Sequence, residues 1–115
     1  MTWGRVELEP EVRRWLEGLS DGDFGRTAFY IDLLQDQGPL LGEPYSRQLD
    51  GKLRELRFHL DRRAMRVTYW IAPGRWLILL TVFEKSRRRE VAQVRRATRA
   101  LRTCIQEDHT LQEDA

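Results

Sequence analysis

Between Leu53 and Phe83 the chain has room for little except β-structure, because three strand-length segments follow one another with only short turns between them. Leu53–Leu60 alternates, placing Leu56, Phe58 and Leu60 on one face and Glu55, Arg57 and His59 on the other. Met65–Ala72 alternates as well, with Met65, Val67, Tyr69 and Ile71 opposed to Arg66, Thr68 and Trp70. Trp76–Phe83 is apolar on both faces, which suits a central strand. Asp61 to Ala64 and Pro73-Gly74 read as the turns.

Helical signals flank this block. Trp3 to Leu8 alternates as a short strand, and Pro10 then stands in a first helical turn, with Glu9 and Glu11 complementing its positive end. Val12, Trp15, Leu16 and Leu19 recur at three-to-four spacing as one apolar stripe. Gly18 and Ser20-Asp21-Gly22-Asp23 end that helix and cap a second. The second helix carries Phe24, Ala28, Ile31, Leu33 and Leu34 until Gly38-Pro39 stops it. Leu40 to Asp50, punctuated by Gly42, Pro44 and Asp50-Gly51, reads as loop. Lys85 to Gln106 predicts a long helix with Val91, Val94, Thr98, Leu101 and Ile105 inward, followed by a frayed acidic tail over 107–115. The pattern is that of an α+β fold.

At 115 residues and 13.7 kDa, with 41% hydrophobic residues, the chain suits one domain with a real core, assigned to residues 1–106. Its longest apolar run, Trp76–Phe83, is far short of a membrane span, and Met1 to Glu7 shows no secretory pattern. Cys104 is the single cysteine, and no Cys/His spacing suggests zinc, so a reducing cytoplasm is the expected compartment. No metal and no cofactor is implied. With two histidines and no glycine-rich phosphate loop, a nucleotide-driven enzyme is disfavoured.

The formal net charge of +2 conceals a strong asymmetry. Residues 1–50 hold 5 Lys/Arg against 10 Asp/Glu, residues 51–102 hold 15 against 4, and residues 103–115 hold none against 4. A basic half spread over several elements is the footprint expected for a polyanion such as nucleic acid, or for an acidic protein; a solvated basic helix is the plain alternative.

Strand parity converts this into a candidate site. If Asp61 to Ala64 turns the first hairpin, Leu60 faces Met65, Phe58 faces Val67 and Leu56 faces Tyr69. On the polar side His59 then faces Arg66, Arg57 faces Thr68 and Glu55 faces Trp70. The water-facing surface so formed carries Arg57, His59 and Arg66, with Lys85, Arg87 and Arg88 beyond the next strand. Two guanidiniums and an ammonium can hold a phosphodiester and stabilise charge growing on its oxygens, while His59 relays a proton. Equally ordinary is a cross-strand ion pair of Arg57 with Glu55 or Glu84.

The block Leu53-Arg54-Glu55-Leu56-Arg57-Phe58, then Met65-Arg66-Val67-Thr68-Tyr69, then Leu79-Leu80-Thr81-Val82-Phe83-Glu84-Lys85-Ser86 resembles the HigB branch of the RelE/ParE toxin superfamily. The front also matches, through Pro10-Glu11-Val12 with Trp15-Leu16, Leu33-Leu34 with Gly38-Pro39-Leu40, and Leu49-Asp50-Gly51-Lys52-Leu53. The resemblance implies a RelE-like fold: a helical hairpin packed on a small antiparallel sheet, with a C-terminal basic helix. It further implies a type II toxin–antitoxin toxin that cleaves mRNA without a metal, often on the ribosome, silenced by an Xre-type helix-turn-helix antitoxin.

Position by position, Arg57 and Arg66 match the basic residues contacting the scissile phosphate, and Lys85 the basic residue ending the last strand. Glu55 stands where some relatives carry a second lysine. Ser86 departs from the second basic residue of the pattern, the proline that commonly follows is missing, and no tyrosine stands near Ala92. A non-catalytic ribosome- or nucleic-acid-binding protein is therefore the alternative, and a gyrase-inhibiting ParE-like toxin a third reading. Arg54, Arg87, Arg88, Arg95 and Arg99 are the candidate RNA-binding residues. Arg88, Arg95, Arg99 and Arg102 share one helical side, suited to rRNA phosphates or to acidic antitoxin residues. Trp15 and Trp76 read as packing, Trp70 as packing or a base-stacking ring, Cys104 as a small buried residue, and His109 as solvated.

Overall fold

The computed structural model describes residues 2–86 and 90–114, the last seven as backbone alone. In chain order the elements are β1 (Arg5–Leu8), α1 (Pro10–Glu17), α2 (Asp21–Gln37), a 3-10 turn (Gly38–Leu40), β2 (Ser46–Asp50), β3 (Leu53–Leu60), β4 (Arg63–Ala72), β5 (Trp76–Glu84) and α3 (Glu90–Asp114). Proline opens α1, and the Ser20 side chain accepts the Asp23 N–H to cap α2, as the sequence predicts. At the end of α2 the chain turns through Gly38 at φ +54, and the Trp3 ring packs where a side chain would stand: an added Cβ would lie 2.4 Å from it.

The strands form one sheet in the order β1-β5-β4-β3-β2. The pairings of β2 with β3, β3 with β4 and β4 with β5 are antiparallel, whereas β1 joins β5 in parallel. The apolar β5 is an interior strand, but β4 holds the centre. Residues 46–50, expected as loop, form the edge strand β2; four of its five side chains are polar, so no apolar alternation betrays it.

The β3–β4 register corrects the expected one by two residues. Leu60 faces Arg63 across a two-residue turn at Asp61 and Arg62, with Asp61 at φ +55. Phe58 therefore faces Met65, Leu56 faces Val67, Glu55 faces Thr68, and Arg57 faces Arg66 directly. Because side chains alternate with a period of two, this shift changes every partner and leaves every face unchanged.

Helices cover both faces. Under α1 and α2 lies the larger core, in which Val12, Leu34, Leu56, Leu60, Val67, Tyr69, Leu77 and Leu79 are fully buried. On the other face α3 covers Leu53, Trp70, Ala72, Ile78 and Leu80 with Ala97, Leu101 and Cys104. Its inward row is thus Ala97-Leu101-Cys104 with Val94 beside it, while Val91 and Ile105 point outward. Described backbone of α3 starts at Glu90 rather than Lys85, and stays helical through Asp114 instead of fraying after Gln106. On α2, Phe24 is exposed, and Thr27 with Leu34 forms the buried row. Glu11 ties three elements together, ion-pairing with Arg96 of α3 and accepting the Val82 N–H of β5 at 2.9 Å. Among the described residues, no helix is long and apolar enough to cross a membrane.

Candidate functional site

Strand β2 pairs with β3 only as far as Leu56, so the edge of β3 is released from Arg57 onward. Just before β2 begins, the Tyr45 carbonyl accepts the Arg57 N–H at 2.8 Å. Beside this edge opens a cleft of about 270 Å³ lined by Arg26 and Tyr30 of α2, Pro44 and Tyr45, Arg57, Phe58 and His59 of β3, and Arg66 of β4.

At its floor two like charges face each other. Arg57 and Arg66 are direct cross-strand neighbours, an arrangement that repels unless something compensates it. Glu55, two residues before Arg57 on the same face, supplies that compensation. Its Oε2 lies 3.8 Å from Arg57 Nε and 3.7 Å from Arg66 Nε. Both separations exceed hydrogen-bond length, and Glu55 Oε1, Arg57 Nε and Arg66 Nε are buried without a hydrogen-bond partner. Burial pushes the Glu55 carboxyl above its ordinary value, with the charges of Arg66 and then Arg57 opposing the rise. Arg66 is lowered, by burial first and then by Arg57, while remaining a cation at physiological pH.

The expected water-facing surface therefore needs correction: Arg66 is only 6% exposed and Arg57 24%. Arg66 also donates through Nη1 to the Met65 carbonyl at 3.0 Å. The ion pair of Arg57 with Glu55 exists, but as one limb of a three-charge group rather than an isolated surface bridge.

His59 is exposed, lines the cleft, and faces Ala64 rather than Arg66. Lys85, also exposed, sits past the end of β5 with its N–H on the Ala64 carbonyl at 2.8 Å, outside the cleft lining. Arg54 has the opposite parity and reaches the Tyr69 hydroxyl at 3.3 Å and the Leu41 carbonyl at 3.5 Å, so it stands apart from Arg57. Arg95 and Arg99 are exposed on α3; Arg87 and Arg88 lie outside the described residues. Trp70 packs under α3 with its indole N–H 3.5 Å from Cys104 Sγ, away from any ligand-facing position.

The structure brings together Arg57, His59 and Arg66 and adds Arg26, Tyr30 and Tyr45, which the sequence reading did not single out. One local signal ties two of them: Arg26 and Tyr30 stand four apart on a helix, on one side. Nothing local relates either to Tyr45 or to β3.

Three solved structures share this architecture. The E. coli toxin RelE, as a double arginine-to-alanine variant in the free state, is 12% identical with a TM-score of 0.58, the match covering 84% of this chain and 94% of that one. The toxin–antitoxin complex RelBE2 from Mycobacterium tuberculosis is matched at 15% identity and TM-score 0.55, over 71% of this chain and 98% of that one. For the archaeal RelE–RelB complex from Pyrococcus horikoshii OT3 the identity is 22% and the TM-score 0.53, over 76% and 99%. The fold is that of the RelE toxins. Residues 14–103 match the model of the family described as phage derived protein Gp49-like (DUF891), and the chain belongs to that family of RelE-superfamily toxins of toxin–antitoxin systems. No curated protein matches the chain in sequence.

Proposed function

We propose that this toxin is an endoribonuclease that cleaves mRNA at the ribosome, and that an Xre-type helix-turn-helix antitoxin silences it. The observation carrying the reading is the facing pair Arg57–Arg66 at the floor of a cleft with three arginines in its lining. Glu55 draws both Nε atoms toward itself, and the terminal nitrogens of Arg57 make no hydrogen bond among the described residues. A scissile phosphate placed over Arg57 would thus meet unspent donors.

The reaction is attack of a ribose 2′-hydroxyl on the adjacent phosphorus with release of the 5′-oxygen, leaving a cyclic phosphate and a free 5′-hydroxyl. Arg57 and Arg66 stabilise the charge that grows on the phosphoryl oxygens. His59, exposed at the cleft, is the group placed to move protons between the two ribose oxygens. Lys85 beyond β5 extends the phosphate contact, and the exposed Arg95 and Arg99 of α3 meet rRNA phosphates or acidic antitoxin side chains.

Arg57→Ala and Arg66→Ala should each slow cleavage by about 10²–10³-fold, the usual effect of removing one such donor. New mRNA 5′ ends, mapped after induction in cells, should appear with the wild type and vanish with both variants; undiminished cleavage by both folded variants overturns the assignment. The competing reading, binding without cleavage, draws support from the burial of Arg66 and the carboxylate beside it. It predicts growth arrest with no new 5′ ends.

A further inference from the structure

We infer that Tyr30 and Tyr45, with Arg26, form a stacking subsite for one unpaired nucleobase next to the phosphate held at Arg57 and Arg66. The inference rests on the RNA reading above and names how that site holds its substrate.

Tyr45 is an exposed aromatic ring, 41% accessible, on a backbone that is held in place. Its N–H donates to the Gly42 carbonyl at 3.0 Å, and its carbonyl accepts from Arg57, which fixes the ring's origin relative to the arginine pair. Tyr30 backs it, with ring centroids 6.2 Å apart and a 39° tilt. Tyr30 is itself braced, lying nearly parallel to Phe58 at 5.2 Å and meeting Phe29 edge-on at 5.2 Å. A braced ring with an accessible neighbour loses little freedom when a planar group settles on it.

Charge selects the kind of planar group. The cleft lining holds Arg26, Arg57 and Arg66 and no carboxylate. Asp23, one turn before Arg26, is engaged with Arg63 at 3.0 Å, and Glu55 lies buried beside Arg57 and Arg66. An aromatic ligand with an anionic neighbour satisfies both features, whereas a purely apolar protein segment would leave the arginines without partners. A volume of about 270 Å³ is at the small end of ligand pockets, suited to one nucleotide and not to a duplex. Unpaired bases splayed onto aromatic rings, with arginines following the backbone, are how proteins commonly hold single-stranded RNA.

The test measures anisotropy of a labelled single-stranded RNA hexamer with 2′-O-methyl sugars, which cannot be cut by 2′-hydroxyl attack, and of hexamers with one abasic position. Tyr45→Ala should weaken binding of the intact hexamer by roughly five- to hundred-fold, and Tyr45→Phe should preserve it. Removing the base over the ring should cost the wild type a similar factor and cost Tyr45→Ala nothing more. Arg26→Ala, on an exposed helix position, should reduce the salt slope of binding by about 0.7. Wild-type affinity in Tyr45→Ala, or an equal loss on intact and abasic hexamers, overturns the subsite. Loss of antitoxin binding with RNA affinity intact does so too, and assigns the rings to a protein contact. Cleavage is followed in parallel: a Tyr45 effect on binding with no cleavage keeps the subsite and removes the nuclease, whereas cleavage with no Tyr45 effect does the reverse.

Discussion

The two faces of the sheet are built from the same strands and solve opposite problems. Against α1 and α2, Leu56, Leu60, Val67, Leu77 and Leu79 are all at 0% exposure, and burial of each such side chain stabilises by about 1.5–3 kcal/mol. Against α3, the half around Trp70, Ile78 and Leu80 is apolar. The other half buries Glu55, Arg66, Thr68 and Thr81. The two threonines satisfy one another through their hydroxyls, but the three-charge group does not satisfy all its polar atoms. Buried charge with unmet hydrogen bonds opposes folding, so the first face holds the fold while the second leaves guanidinium nitrogens short of partners.

The sharpest way to break this contrast is Leu56→Ala. That cavity should cost about 2–5 kcal/mol in denaturant unfolding; a loss below 1 kcal/mol would mean that the hairpin face is not the anchor.

A smaller effect tests the other face through pH. Since burial raises the Glu55 carboxyl above 4.5, the folded protein holds that proton more tightly than the unfolded chain does. Its penalty is then fully present above the folded pKa and is relieved as pH falls from there toward 4.5. Melting temperature of Glu55→Gln minus that of the wild type should therefore fall as pH is lowered through this window. A pH-independent difference would show that the two arginines offset burial completely.

The smallest effect belongs to neither face. Arg63 and Asp23 form an ion pair at 3.0 Å whose arginine is 44% exposed, and Arg63→Ala should change stability by less than about 1 kcal/mol. A larger loss would mean that the hairpin tip helps seat α2.

Much of this was legible in the residues. Alternation alone assigns Leu56 and Phe58 to one face and Glu55 and Arg57 to the other, and three-to-four spacing alone places Val12 and Leu16 on the buried side of α1. Arg57 and Arg66 were recognisable as partners because they share a face of adjacent strands. Their direct opposition was not, because a tight turn at Asp61 and Arg62 and a longer one at Asp61 to Ala64 preserve the same parity. Edge strand β2 is not legible because four of its five side chains are polar and leave no apolar alternation. The inward row of α3 was displaced because Ala97 is a small side chain whose burial depends on where the sheet lies.

What the chain determined by itself was periodicity: which residues point together along each helix and strand, a property of local backbone geometry. Tertiary structure decided the rest. Arg26, Tyr30, Tyr45, Arg57 and Arg66 come from separate stretches and meet only because α2 packs across β3 while the pairing of β2 with β3 ends at Leu56. Proximity of that kind depends on packing angles and strand ends, which no local pattern encodes.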